Sequence, residues 1–209
     1  MSSKKEIAYE YLKEAILSNK LKGSQAISEM AVAKKLEISR SPLREAMREL
    51  EQEGLIVSYP DRGSFVTALT PYDVEEIYDL RAMLEAWGLE KSINRISDNE
   101  LDRLEEDFRK AAEAEDWDQL HQVDRRFHDL IINRSGSKRL VAFIRTLNSQ
   151  TERVRRISTG AQMRRENSVT EHLEIIRCIR ARDLEAAREA LRKHIISVGV
   201  SAIEVVMEV

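Results

Sequence analysis

The sequence predicts a mostly α protein in two parts: three short helices and a β-hairpin over residues 1–69, then an all-α bundle of six helices over residues 70–209. Three observations carry that class. Punctuation is sparse, with 7 Gly and 3 Pro in 209 residues, too few for an all-β chain that must turn every ~8–12 residues. Apolar residues recur at helical spacing along most of the chain. The β-prone runs lie close together, at Leu55-Ile56-Val57 and Ser64-Phe65-Val66-Thr67.

Element by element, Ile7, Tyr11, Ala15 and Ile16, with Leu12, form the stripe of a first helix that ends in the polar stretch 19–24. Ile27-Ser28-Glu29 leads into a second helix over 30–36, with Ala33 and Leu36 inward. Ser39 is the N-cap of a third helix, and Pro42 falls in its first turn, where a missing N–H is harmless. Leu43, Ala46, Met47 and Leu50 make its buried face, and Gly54 closes it. The two β-prone runs are joined by Ser58-Tyr59-Pro60-Asp61-Arg62-Gly63, a turn with a basic tip. Thr70-Pro71 then opens a helix over 70–94, with proline at the first helical position. Ser97-Asp98-Asn99-Glu100 is a capping box for a helix to about residue 115. Asp116 caps a helix to about 133, Ser135-Gly136-Ser137 breaks the chain before a helix to about 158, and Thr159-Gly160 is another break. A helix over 163–181 follows, and Asp183 caps the last.

Composition excludes several classes. At 42% hydrophobic and 34% charged residues the chain buries a core rather than remaining disordered. One cysteine, Cys178, can form no internal disulfide, which fits a reducing compartment. The start, Met1 to Glu6, lacks the apolar core of a signal peptide, and no window approaches ~18 apolar residues. The expected location is therefore cytoplasmic, with no membrane partner. The net charge of -3 hides a split: residues 1–69 carry 11 basic and 10 acidic side chains, so the acidic excess lies beyond them.

Three helices followed by a two-stranded wing make a winged helix-turn-helix. Such a unit needs a third helix whose exposed face projects donors into the major groove of double-stranded DNA. Here that face holds Ser39, Arg40, Ser41, Arg44 and Arg48. Arginine suits the guanine edge and phosphate alike, and the helix N-terminus attracts a phosphate. Glu45 and Glu49 could pair with these arginines on a merely solvated helix, but the wing tip Arg62-Gly63 adds a second basic element on the same side. These residues resemble the DNA-binding domain of GntR-family bacterial transcription regulators through about residues 7–67, in the Ser39-Arg40-Ser41-Pro42 turn, in Leu43-Arg44-Glu45-Ala46 and in Arg62-Gly63-Ser64-Phe65. The resemblance implies operator contacts from Arg40, Arg44 and Gly63, helped by Ser39, Ser41 and Arg62. Met30 departs from it, standing where many relatives carry arginine.

The four histidines are placed informatively. Asp124 and His128 are i, i+4 on one helix, in line with Leu120 and Ile131. His172 falls in the stripe Val169, His172, Ile176, Ile179, and His194 in Ala187, Leu191, His194, Val198. One such histidine is ordinarily a hydrogen-bonded core residue, because burying an unpartnered ring costs ~1–3 kcal/mol. Three on separate helices, with an aligned carboxylate, point to one ion per chain: zinc first, or nickel, manganese or another divalent metal. His121 lies off the row and reads as a surface residue. The set also resembles the helical ligand domains of the FadR-type branch, in its shorter, VanR-like form. That resemblance implies a small organic or sugar acid as effector at the metal, with Arg81 matching a recurrent anchoring arginine, although a plain Arg81–Glu85 helix-face pair reads as well. Asn148 is a further candidate for the effector.

The functional expectation is a homodimeric, effector-controlled repressor that is not an enzyme. A constitutive DNA-binding protein with a structural metal is one alternative. A metallohydrolase with an appended module is another, but it lacks a His-Glu-x-x-His spacing and a base beside the site, since Glu171 points about 100° from His172 on its own helix.

Overall fold

The caps named by the sequence are where the helices begin. In the computed structural model, which describes residues 3–158 and 162–207 (side chains of 157–158 and 162–166 excepted), Ser3 caps α1 (Lys4–Leu17) reciprocally with Glu6. Ser28 caps α2 (Glu29–Leu36). Ser39 precedes α3 (Arg40–Gln52) in extended conformation but makes no side-chain cap bond. The reason is local: the third residue of α3, whose N–H such a cap would bind, is Pro42, which has none. Gly54 follows α3 at φ +72, so this turn needs glycine for its conformation, and the Gln150 amide lies against the bare Cα.

The hairpin belongs to a larger sheet than expected. Strands β1 (Ala26–Ile27), β2 (Ile56–Tyr59) and β3 (Gly63–Val66) run antiparallel in the order β1-β3-β2, with Phe65 opposite both Ala26 and Val57. The first helix also differs. Ile7 is exposed, and Ala8, Leu12, Ala15 and Ile16 make the buried face instead, because the small Ala8 side chain lies in the core shared with Leu43, Ala46 and Leu50 of α3.

Six helices follow: α4 (Pro71–Ser92), α5 (Asp98–Glu113), α6 (Trp117–Arg134), α7 (Lys138–Ser158), α8 (Gln162–Arg180) and α9 (Leu184–Met207). Thr70 with Asp73 and Ser97 with Glu100 form capping boxes, and Asp116 caps α6. The break expected at Thr159-Gly160 lies outside the described residues. Helix α4 is central, packing on α9, α6 and α7. Gly199 lets α9 approach so closely that a Cβ there would stand 2.9 Å from the Tyr78 ring. The sheet with α1–α3 surrounds one apolar core, and α4–α9 surround another. Helix α7 ties the two together: Ser149 Oγ donates to Glu53 Oε2 at 2.5 Å, Gln150 Nε2 to the Glu53 carbonyl at 3.1 Å, and Arg153 Nη1 to the Thr67 carbonyl at 2.6 Å. No helix among the described residues is long and apolar enough to cross a membrane.

Candidate metal centre, effector cavity and DNA face

Asp124 and His128 come from α6, one turn apart on its inward face; His172 comes from α8 and His194 from α9. The structure brings all four together, with one prospective ligand atom from each lying within 4.8 Å of the others. That is about the span required by bonds of ~2.0–2.2 Å on opposite sides of one ion.

The three rings are held from behind. His128 Nδ1 meets Glu85 Oε2 at 2.5 Å, His172 Nδ1 meets the Ser168 carbonyl at 2.7 Å, and His194 Nδ1 meets Glu171 Oε2 at 2.7 Å. Each of these partners is an acceptor, so in the neutral rings Nδ1 carries the proton and Nε2 keeps its lone pair. His128 Nε2 and His172 Nε2 lie 3.4 Å apart, and Asp124 Oδ1 is 3.3 Å from the latter and 3.8 Å from the former. Lone pairs and a carboxylate turned on one point repel unless a cation lies among them. The donor set therefore fits a divalent metal, with the outer hydrogen bonds orienting the ligands.

Electrostatics agree. Burial pushes the Asp124 carboxyl up, but Arg155, with Nη2 2.6 Å from Oδ2, and the facing histidines outweigh it and hold the group well below the usual carboxylate range. Burial lowers the pKa of His172, helped by neighbouring His194, and burial likewise lowers that of His194. Both rings are thus neutral, the form that binds metal. Phe108 stacks on His172 with centroids 4.5 Å apart, and Phe127 meets it edge-on at 5.0 Å, so the far side of the centre is apolar.

Beside His128 opens a cavity of about 220 Å³, and both sequence-named effector candidates, Arg81 and Asn148, line it with Arg125, Arg155, Arg156 and Lys13. Arg81 and Glu85 do pair one turn apart on α4, but inside the bundle rather than on an exposed face: Arg81 is 4% exposed and donates through Nε to the equally buried Glu85. Burial raises the Glu85 pKa, but Arg81 and His128 overcome it and set the group at about 2. Three cross-helix roles were not legible in the sequence. Glu171 turns away from His172 on α8, as expected, but toward His194 on α9. Glu85 links Arg81 to His128, and Arg155 reaches Asp124 from α7. Helical spacing orders residues on one helix and is blind to pairs across helices; only Arg155, two turns past Asn148 on α7, shares a face with a residue the sequence singled out. His121, expected at the surface, is half-buried on α6, and burial lowers its pKa, followed by the nearby Arg155 charge.

On the opposite part, Ser39, Arg40, Ser41, Arg44 and Arg48 are all exposed along α3, and Arg62 and Gly63 are exposed at the wing tip. Gly63 adopts φ +86, open to an approaching backbone with nothing within 4 Å of a would-be Cβ. Arg44 and Arg48 of α3 and Tyr59, Asp61 and Gly63 of the wing border one groove. Arg44 Nε is held at 2.8 Å by Glu29 of α2, and Met30 is exposed beside it.

Comparison with known proteins matches residues 4–66 to the model of bacterial regulatory proteins of the gntR family, and residues 76–197 to that of the FCD domain. The uncharacterized helix-turn-helix-type transcriptional regulator YdhC of Bacillus subtilis is 31% identical over 191 residues, covering 89% of this chain and 85% of its own. The transcriptional repressor RspR of Escherichia coli is 26% identical over 203 residues, covering 96% and 89%. A GntR transcriptional regulator from Rhodococcus sp. RHA1 superposes with a TM-score of 0.77 at 22% identity, covering 97% of this chain and 99% of its own.

Proposed function

The chain belongs to the gntR family of bacterial regulatory proteins and carries an FCD ligand-binding domain, and from that premise we propose a repressor whose operator affinity is set by a small organic or sugar acid bound at a divalent metal. Regulators of this kind bind operator DNA, and the relatives matched are named as transcription regulators, which favours this reading over a metallohydrolase. Residues 1–69 serve as the DNA-binding unit and 70–209 as the sensor.

One observation carries the metal and its acid: three imidazoles anchored through Nδ1 join Asp124 in offering ligand atoms within 4.8 Å of one another, beside a cavity rich in arginine. Four protein ligands leave a first-row divalent ion open positions for a carboxylate or hydroxyl, and the ion supplies Lewis acidity there. Arg155 and Asn148 face the same cavity. So does Arg81, whose guanidinium makes no hydrogen bond among the described residues besides that to Glu85, and its fork can take a ligand carboxylate. On the DNA side, Arg40, Arg44 and Arg48, with Ser39 and Ser41, address the major groove, and Arg62 and Gly63 address the backbone.

A homodimer accompanies this reading, because one helix-turn-helix reads too few base pairs alone. Leu80, Met83 and Trp87, spaced i, i+3, i+7 on α4, are exposed together with Phe143 of neighbouring α7. An exposed apolar strip of this kind is the face a second copy would cover. Elemental analysis of protein purified without an affinity tag tests the metal: about one divalent ion per chain is expected, and its loss in the His172→Ala, His194→Ala double variant. A wild-type content near zero, with no uptake of added zinc, nickel or manganese, would return the histidines to a purely structural role.

A further inference from the structure

Two arginines are buried among the described residues, Arg81 and Arg153, each 4% exposed. Arg81 has Glu85. Arg153 has no carboxylate within ion-pair reach among the described residues; its Nη1 donates to the Thr67 carbonyl at 2.6 Å, and its Nε is buried with no partner. A guanidinium taken out of water without a counter-charge is expensive, and proteins almost always pair it. Burial correspondingly lowers the pKa of Arg153.

This cation lines a cavity of about 400 Å³ distinct from the metal-side cavity, between the strand that follows α3 and the first sensor helix. Leu55, Val57, Leu69 and Ile77 line it together with Arg153. We propose that this cavity is a second ligand site, taking a singly charged carboxylate with a compact apolar body. The Arg153 guanidinium, which has no carboxylate partner among the described residues, can give a ligand carboxylate in this cavity a charge-assisted hydrogen bond and the missing counter-charge. The apolar walls suit an aliphatic or aromatic body, and the volume lies within the ordinary range for small-molecule sites. Glu51 and Asp73 on the rim oppose a second negative charge, so phosphate esters and polycarboxylates belong elsewhere. The ligand would touch the base of the wing on one side and α4 and α7 on the other, joining the DNA-binding unit to the sensor independently of the metal.

Full-length, metal-loaded protein titrated with hexanoate and with benzoate, followed by calorimetry and ligand-observed NMR, tests the proposal. Saturable millimolar binding at one site per chain is expected for at least one of the two probes. Arg153→Met should weaken it about 10–100-fold, the loss of a charge-assisted hydrogen bond, without changing metal content. Because Arg153 also holds Thr67, Val57→Phe provides the second arm: it fills the cavity, leaves the arginine in place, and should abolish probe binding equally. Failure of both probes to saturate the wild type, or wild-type affinity retained in either Arg153→Met or Val57→Phe, would overturn the site, and neither result bears on the metal centre.

Discussion

At His128, His172 and His194 the nitrogen facing away from the centre governs the one facing it. Each Nδ1 rests on an acceptor from a different source: a carboxylate of α4, a carbonyl of α8 itself, and a carboxylate of α8 reaching α9. Losing such an orienting bond typically costs 10–100-fold in metal affinity. Glu171→Gln should therefore weaken metal binding by about that factor while leaving stoichiometry at saturation unchanged, measured by competition with a chromogenic chelator. The same titration against pH should show affinity falling as pH drops through the ordinary histidine value of 6.5 and below, because protons compete for Nε2. For the metal-free protein the sign is also fixed. His172 and His194 have folded values below 6.5, so the unfolded chain binds more protons there and stability falls as pH drops below that value. Glu85, lowered from 4.5 to about 2, adds stability that is complete above 4.5 and lost between those two values. Melting temperature against pH should show both windows, and Glu85→Gln should shrink the lower one, to which Asp124 and Glu100 also contribute. The histidines and Asp124 were legible in the sequence because each sits in an apolar stripe of its own helix. Glu85 was legible only as the partner of Arg81 on its own helix, and Glu171 and Arg155 were not legible as participants, because their contacts with His194 and Asp124 cross to other helices.

Among the elements, α3 and α7 bear most of the functional argument. Helix α3 presents its arginines on the side opposite Leu43, Met47 and Leu50, a division the sequence shows directly through spacing. Arg44→Ala should abolish specific operator binding without unfolding the chain, at a cost of ~1–3 kcal/mol per half-site. Unchanged affinity in a gel-shift titration at fixed salt would remove this face from the groove. Helix α7 was legible as a helix but not as a bridge. Ser149 and Gln150 grip Glu53, the residue that ends α3, and Arg153 holds Thr67 just after the wing, while Arg155 pairs with Asp124. Strand β1 escaped because two residues carry no period, and its pairing with β3 spans almost forty positions of chain. The apolar strip on α4 gives a further expectation: Met83→Glu should shift the protein toward monomer in light scattering at micromolar concentration and weaken operator binding with it, and a dimer unaffected by that charge would place the contact elsewhere.

At the scale of the molecule, the two cores are joined by a short connection and by polar contacts from α7. Leu69 already packs on the sensor core, α4 begins at Pro71, and the α7 contacts fall on both ends of the recognition unit. The division into a small mixed part and a six-helix part was readable from caps and periodicity. How the parts meet was not, because that depends on polar contacts between residues some 90 positions apart. A rearrangement at Asp124 would pull on Arg155 and α7, and so on the spacing of two recognition helices in a dimer. Linkage then requires reciprocity: an acid that weakens DNA binding by some factor must bind the DNA complex more weakly by the same factor, typically ~5–150-fold. The acid can be found as the compound that raises the melting temperature of metal-loaded protein and loses that effect with chelator. Calorimetric affinity of that acid for the free protein and for the operator complex is the direct measurement. Weaker binding to the complex, within that range, is the expected result; equal affinities would mean that the metal centre and the DNA-binding unit are uncoupled.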